Sequence, residues 1–178
     1  MLFTNDTEAS LSAAVELVNS AEHPDTLTST TELDAFLTTH AYTGRVDHDG
    51  GELAAVRALR ARLRTMLLAP RDEMVAHVND ALADVPLNAR LIRHGEVDWH
   101  LHAIGDDRPL PERILIETAM ALIDVVRTHE DSRLRVCADA DCDAIVLDLS
   151  RNRSKRYCST TCTNRNAVAA YRARRATG

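Results

Sequence analysis

Apolar residues recur at helical spacing through most of the first two-thirds of the chain. Leu11, Ala14, Val15 and Val18 follow Asn5, which has Glu8 three residues on, the spacing of a capping box at a helix start. Leu33, Phe36 and Leu37 mark a short helix over about 32–40. Residues 41–51 hold three glycines among charged side chains and read as a loop. Asp49 and Glu52 repeat the capping-box spacing. They open the longest pattern, Leu53, Val56, Leu59, Leu63, Met66 and Leu67, which Pro70 ends. A fourth helix over 72–84 would bury Val75, Val78 and Leu82. The period then changes to two. Val97, Trp99, Leu101 and Ala103 alternate with polar residues, and His94-Gly95-Glu96 separates them from residues 89–93. This predicts a β-hairpin with one buried face and Trp99 in the core. Pro109 and Pro111 introduce a last long helix through Ile114, Leu115, Ala119, Leu122, Ile123 and Val126. The expected fold is mainly α with a small β-hairpin: a multihelical N-terminal domain over 1–132, then a small module over 133–178.

Charge divides at the same place. Residues 1–132 carry 11 Lys+Arg and 23 Asp+Glu, and residues 133–178 carry 10 and 4. From Arg151 onward there are eight basic residues and no acidic one, so a pI of 5.7 conceals an acidic body and a basic tail. That asymmetry fits a polyanion partner or a solvated tail. No apolar run approaches the roughly 18 residues of a membrane helix. The first residues have no basic segment ahead of an apolar one, so no signal peptide is expected. The cytoplasm, where thiols stay reduced, is the expected compartment.

All four cysteines lie in the last 42 residues, as C-x4-C, fifteen residues, then C-x3-C. Two short pairs at such a separation are a zinc pattern, and a reducing compartment argues against disulfides. Each pair turns two thiolates toward one ion, and the chain between them returns to complete a tetrahedron. Ile145-Val146-Leu147 suits the first strand of that intervening hairpin and Ser150-Arg151-Asn152-Arg153 its turn. Cys158 and Cys162, four apart, share one face of a first helical turn, whose positive end favours thiolate. Cys137, Cys142, Cys158 and Cys162 are therefore expected to hold one structural Zn²⁺ in a treble-clef-like finger. Iron–sulfur spacings differ, and four thiolates close the shell against chemistry at the metal. A module of this size has too few large apolar groups to fold on them alone, whereas structural zinc contributes about 10–16 kcal/mol.

Nothing points to an enzyme. Phosphate-loop, nucleophile-elbow and dinucleotide motifs are missing, Glu112 and Glu117 suggest no acid/base pair, and His100 with His102 lacks a third metal ligand.

The residues around the cysteines resemble a known family. Cys137-Ala138-Asp139-Ala140-Asp141-Cys142, Leu147-Asp148-Leu149-Ser150-Arg151-Asn152, Tyr157-Cys158, Cys162-Thr163-Asn164-Arg165 and the tail Tyr171-Arg172-Ala173-Arg174-Arg175 resemble the CGNR zinc finger. Val15-Glu16-Leu17-Val18-Asn19-Ser20 and the long helix over 52–68 resemble the ABATE domain that usually precedes it. Thr163 replaces the family's glycine, and Asp143 stands where a glycine often follows the second cysteine; neither is a ligand. The resemblance implies a bacterial stress-induced transcription regulator whose finger binds double-stranded DNA. Arg151, Arg153, Lys155 and Arg156 on the presumed hairpin, and Arg165, Arg172, Arg174 and Arg175 on the presumed helix, could neutralise phosphates. Asn164 and Arg165 at the helix start could read bases. They could equally serve the finger, Asn164 on the zinc-loop backbone and Arg165 paired with Asp148. The acidic body could regulate access to the finger by folding back on it, or by taking a small-molecule effector, a protein partner or a second copy. The alternative function is protein–protein interaction, with the finger only a structural clip.

Overall fold

The structure, a computed structural model, describes residues 3–83, 85–94 and 97–176. Each helical periodicity becomes a helix: α1 (Asn5–Asn19), α2 (Thr30–Thr39), α3 (Gly50–Leu68), α4 (Arg71–Ala83) and α5 (Leu110–Arg127). The alternating stretch becomes the antiparallel hairpin β1 (Arg90–His94) and β2 (Val97–His102). The C-terminal part supplies β3 (Leu134–Val136), β4 (Ile145–Leu147) and α6 (Thr160–Ala176). The mainly α expectation with small antiparallel hairpins holds. The turn expected at Gly95 and Glu96 and the side chain of His100 lie outside the described residues.

The helix starts follow capping chemistry, though not always at the expected residue. Asp49 Oδ1 accepts from Glu52 N at 2.8 Å, while the Glu52 carboxylate reaches back to the backbone N–H of Asp47 and His48 at 3.0 Å. At α1 the cap position is Thr4, not Asn5, and no side chain caps it; Glu8 Oε1 instead accepts from Phe3 N at 3.4 Å. The complete capping box belongs to Ser29 and Glu32 at the start of α2.

α5 is the central helix, with α1, α3 and α4 packed against it. Leu110, Ile114, Ile116 and Leu122 on α5 are fully buried, each contributing about 1.5–3 kcal/mol of transfer free energy. Thr7 Oγ1 donates to Asp124 Oδ2 at 2.6 Å and ties α1 to α5. α4 turns Met74, Val78 and Ala81 inward at positions i, i+4 and i+7, leaving Val75 37% exposed and Leu82 only partly covered. The predicted stripe of Val75, Val78 and Leu82 is thus rotated toward the N-terminus. The glycine-bearing loop is fixed by Arg113, which is buried and donates to the carbonyls of Thr43, Arg45 and Arg108. Gly44 sits there at φ +84°, where a Cβ would stand 2.7 Å from the Asp106 carbonyl; only glycine fits.

The hairpin β1–β2 departs from expectation. Leu91 pairs with Leu101 across the strands, and Trp99 lies two residues along the same face. That face is not covered: Leu91 is 68%, Trp99 65% and Leu101 40% exposed. Alternation identified the face but not what lies opposite it, and no helix packs down on it among the described residues. Only Ala103 joins a small core, with Ile104 and Ile116.

The main core continues past residue 132. Leu134, Ile145 and Leu147 belong to the same apolar cluster as the helices. Asn19, the last residue of α1, clamps β4 at both polar groups of one peptide position: Nδ2 donates to Ile145 O at 2.9 Å and Oδ1 accepts from Ile145 N at 2.7 Å. Arg64 on α3 donates to Asp143 O at 2.6 Å. The finger is mounted on the helical body through its strands.

Candidate metal centre

β3 and β4 pair antiparallel, Leu134 opposite Leu147 and Val136 opposite Ile145. The loop that joins them is the C-x4-C segment itself. This corrects the expected hairpin between the two cysteine pairs: Ile145-Val146-Leu147 is its second strand, and the turn at 150–153 closes no strand ladder. The chain after that turn still returns to the first pair. Ala138 N donates to Arg156 O at 2.9 Å, and Cys158 N points to Cys137 Sγ at 3.4 Å. Cys158 precedes α6, and Cys162 lies in its first turn, where Cys162 N donates to Ser159 Oγ at 3.2 Å.

These segments bring the four sulfurs within 4.8 Å of one another. Cys142 and Cys158 sulfurs are 3.6 Å apart, Cys158 and Cys162 sulfurs 3.7 Å. A tetrahedron with Zn–S bonds of about 2.3 Å has S···S edges of about 3.8 Å, whereas a disulfide would need about 2.0 Å. All four cysteines are free. Burial first, and then the neighbouring sulfurs, push the Cys158 thiol up to about 12, and burial raises Cys142 as well. Four thiolates in this space call for a divalent cation among them. The residues fit one structural zinc ion with a closed, all-sulfur shell.

Around the tetrad, buried aspartates organise the loops. Asp148 is wholly buried and accepts from Ser150 N, Ser150 Oγ, Lys155 N and Arg135 Nη2. Against the penalty of burial, these bonds hold its carboxyl down to about 2. Asp139, also buried, accepts from Asp141 N at 3.1 Å inside the C-x4-C loop and faces Arg165 Nε at 3.3 Å. Arg165 thus pairs with Asp139, and at 3.7 Å with Asp141. Its expected partner Asp148 is taken by Arg135. Neither Thr163 nor Asp143 has positive φ. Thr163 is helical and donates Oγ1 to Ser159 O at 2.9 Å, so losing the family's glycine carries no cost in helix propensity.

The nine basic or polar residues expected at a nucleic-acid surface fall into two groups. Arg153 is paired with Glu130 at 2.9 Å and Arg165 with Asp139. Arg151, Lys155, Arg156, Asn164, Arg172, Arg174 and Arg175 are exposed. Arg156 lies over the Tyr157 ring and Arg175 over the Tyr171 ring. Asn164 makes no side-chain hydrogen bond among the described residues, so it does not brace the zinc loop. From Thr163 to Arg175 every residue of α6 except Asn166 is exposed; the acidic body does not fold over the basic helix. Asn19, Arg64, Asp139 and the Arg135–Asp148 pair have no spacing signal, and the sequence alone does not single them out.

Among the described residues no helix is long and apolar enough to cross a membrane. Two family models match the chain: "CGNR zinc finger" over residues 133–175 and ABATE, "Putative stress-induced transcription regulator", over residues 11–129. Comparison with curated proteins yields no match.

Proposed function

The chain belongs to the ABATE family and ends in a CGNR zinc finger, and on that footing we propose that it is a DNA-binding transcription regulator that inserts α6 into the major groove. The observation that carries this is α6 itself. It is a 17-residue helix with no acidic side chain, exposed from Thr163 to Arg175 apart from the half-buried Asn166. Such a helix is about 25 Å long, and a major groove admits it. Arg172, Arg174 and Arg175 on α6, with Arg151, Lys155 and Arg156 on the adjoining loop, would meet phosphates. Asn164, outward-facing near the N-terminus of α6, would reach base edges. Arg153 and Arg165 would hold the loops in place through Glu130 and Asp139. A zinc ion held by Cys158 and Cys162 would fix the start of α6 to the finger, and the reading assigns the protein no reaction.

The test uses full-length, zinc-loaded protein and duplexes selected from a random pool, followed by fluorescence anisotropy. Affinity is expected to fall steeply with salt. Arg172→Ala should flatten the log–log slope by about 0.9 for each phosphate that Arg172 neutralises. Asn164→Ala should weaken selected sequences by about 1–3 kcal/mol and leave random duplex unchanged. Duplex affinity no greater than that of a size-matched polycation would refute the proposal.

A second reading, the finger as a clip that docks a protein, has one observation in its favour. Val168 and Tyr171, three residues apart on α6, are 47% and 53% exposed. On that reading Tyr171→Ala removes the partner in a pull-down, and Arg172→Ala has no effect.

A further inference from the structure

A cleft of about 880 Å³ opens between the first turns of α1, the start of the loop after α2, the uncovered face of β1–β2, and α5. One wall is apolar and aromatic, with Leu91, Trp99 and Leu101 from the hairpin, Met120 from α5 and Tyr42 from the loop, and the α1 wall is polar, with Asn5, Thr7 and Ser10. Its ionisable lining is otherwise acidic. Asp6, Glu117 and Asp124 face it, with His40 and His102, and among the described residues no Lys or Arg lines it. The acids are differently placed. Asp124 is bonded by Thr7. The Glu117 carboxylate meets no hydrogen-bond donor among the described residues. Burial drives it up to about 7, against the pull of Arg113 and with the push of Asp106. Arg113 is committed to three backbone carbonyls. The Trp99 ring already carries a cation on one face, with the Arg93 guanidinium 5.8 Å from its centroid.

A cleft with one apolar wall, an undersatisfied carboxylate and an accessible indole suits a particular chemistry. An anion meets three carboxylates there, and the two histidines already face the carboxylates of Glu16 and Asp106. Neutral hydrocarbons give the Glu117 carboxylate no counter-charge. A bulky cation with apolar substituents covers Trp99 and Leu101, meets the indole face and supplies Glu117 with a counter-charge. We propose that this cleft is a binding site for lipophilic organic cations, with Glu117 as the charge-recognising residue and Trp99 as the principal wall. One helix serves both ends of the molecule: the first turns of α1 line the cleft, and its last residue, Asn19, holds β4. An occupant therefore touches the element on which the finger is mounted.

Trp99 is the single tryptophan, so intrinsic fluorescence reports the site directly. The full-length, zinc-loaded protein is titrated with tetraphenylphosphonium and, separately, with tetraphenylborate, which has the same shape and the opposite charge. The cation is expected to change Trp99 emission saturably and to bind at least tenfold more tightly than the anion. Glu117→Gln is expected to weaken the cation about tenfold and to narrow the difference between the two. Equal affinities, no saturable change with the cation in the wild type, or full affinity retained in Glu117→Gln would each overturn the proposal. The cation-against-anion comparison needs no variant, so it stands even if Glu117→Gln misfolds. DNA binding is not a premise of the measurement, and the two proposals can fail separately.

Discussion

Asp148 is a wholly buried acid and Glu117 a partly buried one, and their surroundings send them in opposite directions. Asp148 has four donors and is held near 2. Glu117 has none among the described residues and rises to about 7, with Tyr42 also raised by burial beside it. The folded value of Glu117 lies above its ordinary 4.5, so the folded state holds a proton that the unfolded chain has released between about pH 4.5 and 7. Stability from this group is therefore present below pH 4.5 and lost as pH rises through 7. Glu117→Gln should match the wild type near pH 4.5 and exceed it by about 1–3 kcal/mol at pH 8, allowing for partial exposure at the cleft. Denaturant melts at the two pH values check this, and a variant less stable at pH 8 than the wild type would contradict it. Sequence flags neither acid's role. Glu117 sits one residue beyond a fully buried isoleucine on an ordinary helix, and Asp148 suggests itself for Arg165 only because both lie in the finger. Which cation meets which anion depends on where the chain returns, and charge composition does not encode that.

At the scale of elements, the helices are legible because each keeps one apolar stripe against the shared core around α5, and a stripe is a local pattern. The four zinc ligands are legible for the same reason: two short spacings survive any error in the fold between them. What the pattern misses is pairing. The spacing predicts that β4 pairs forward across the turn at 150–153, yet it pairs backward with β3 across the C-x4-C loop. Ile145 and Leu147 are buried against the helical body, which pulls β4 away from the basic, exposed segment after it. Asn19 fixes that choice, because both polar groups of Ile145 find their partner in one side chain. Asn19→Ala leaves a buried N–H and a buried C=O unpaired and should cost about 2–3 kcal/mol. The denaturant midpoint of the full chain should fall at unchanged m-value, with the four-thiolate metal stoichiometry retained. A loss below about 0.5 kcal/mol, too little for two stranded polar groups, would mean that β4 is held by apolar contact alone.

For the molecule as a whole, the acidic body and the basic finger share one apolar cluster. Leu134, Ile145 and Leu147 complete the helical cluster, while the opposite face of β4, through Val146, joins the cluster of cysteines. β4 thus has the body on one side and the metal centre on the other. Removing the metal leaves the Cys142 and Cys158 thiols, which burial pushes up, without a cation between them, and it frees the loops that hold β4 in register. The metal's stabilisation is therefore expected to reach α1 and α3 through Asn19 and Arg64, and not to stop at residue 132. Chelation of the full-length protein should lower its melting temperature by about 10 °C or more, and helical circular dichroism and Trp99 emission should move together in one transition. If the finger were independent, chelation would melt α6 alone, and Trp99, which lies on the body, would keep its original midpoint. Coincidence of the two probes decides between a finger attached to a sensor and a finger built into one.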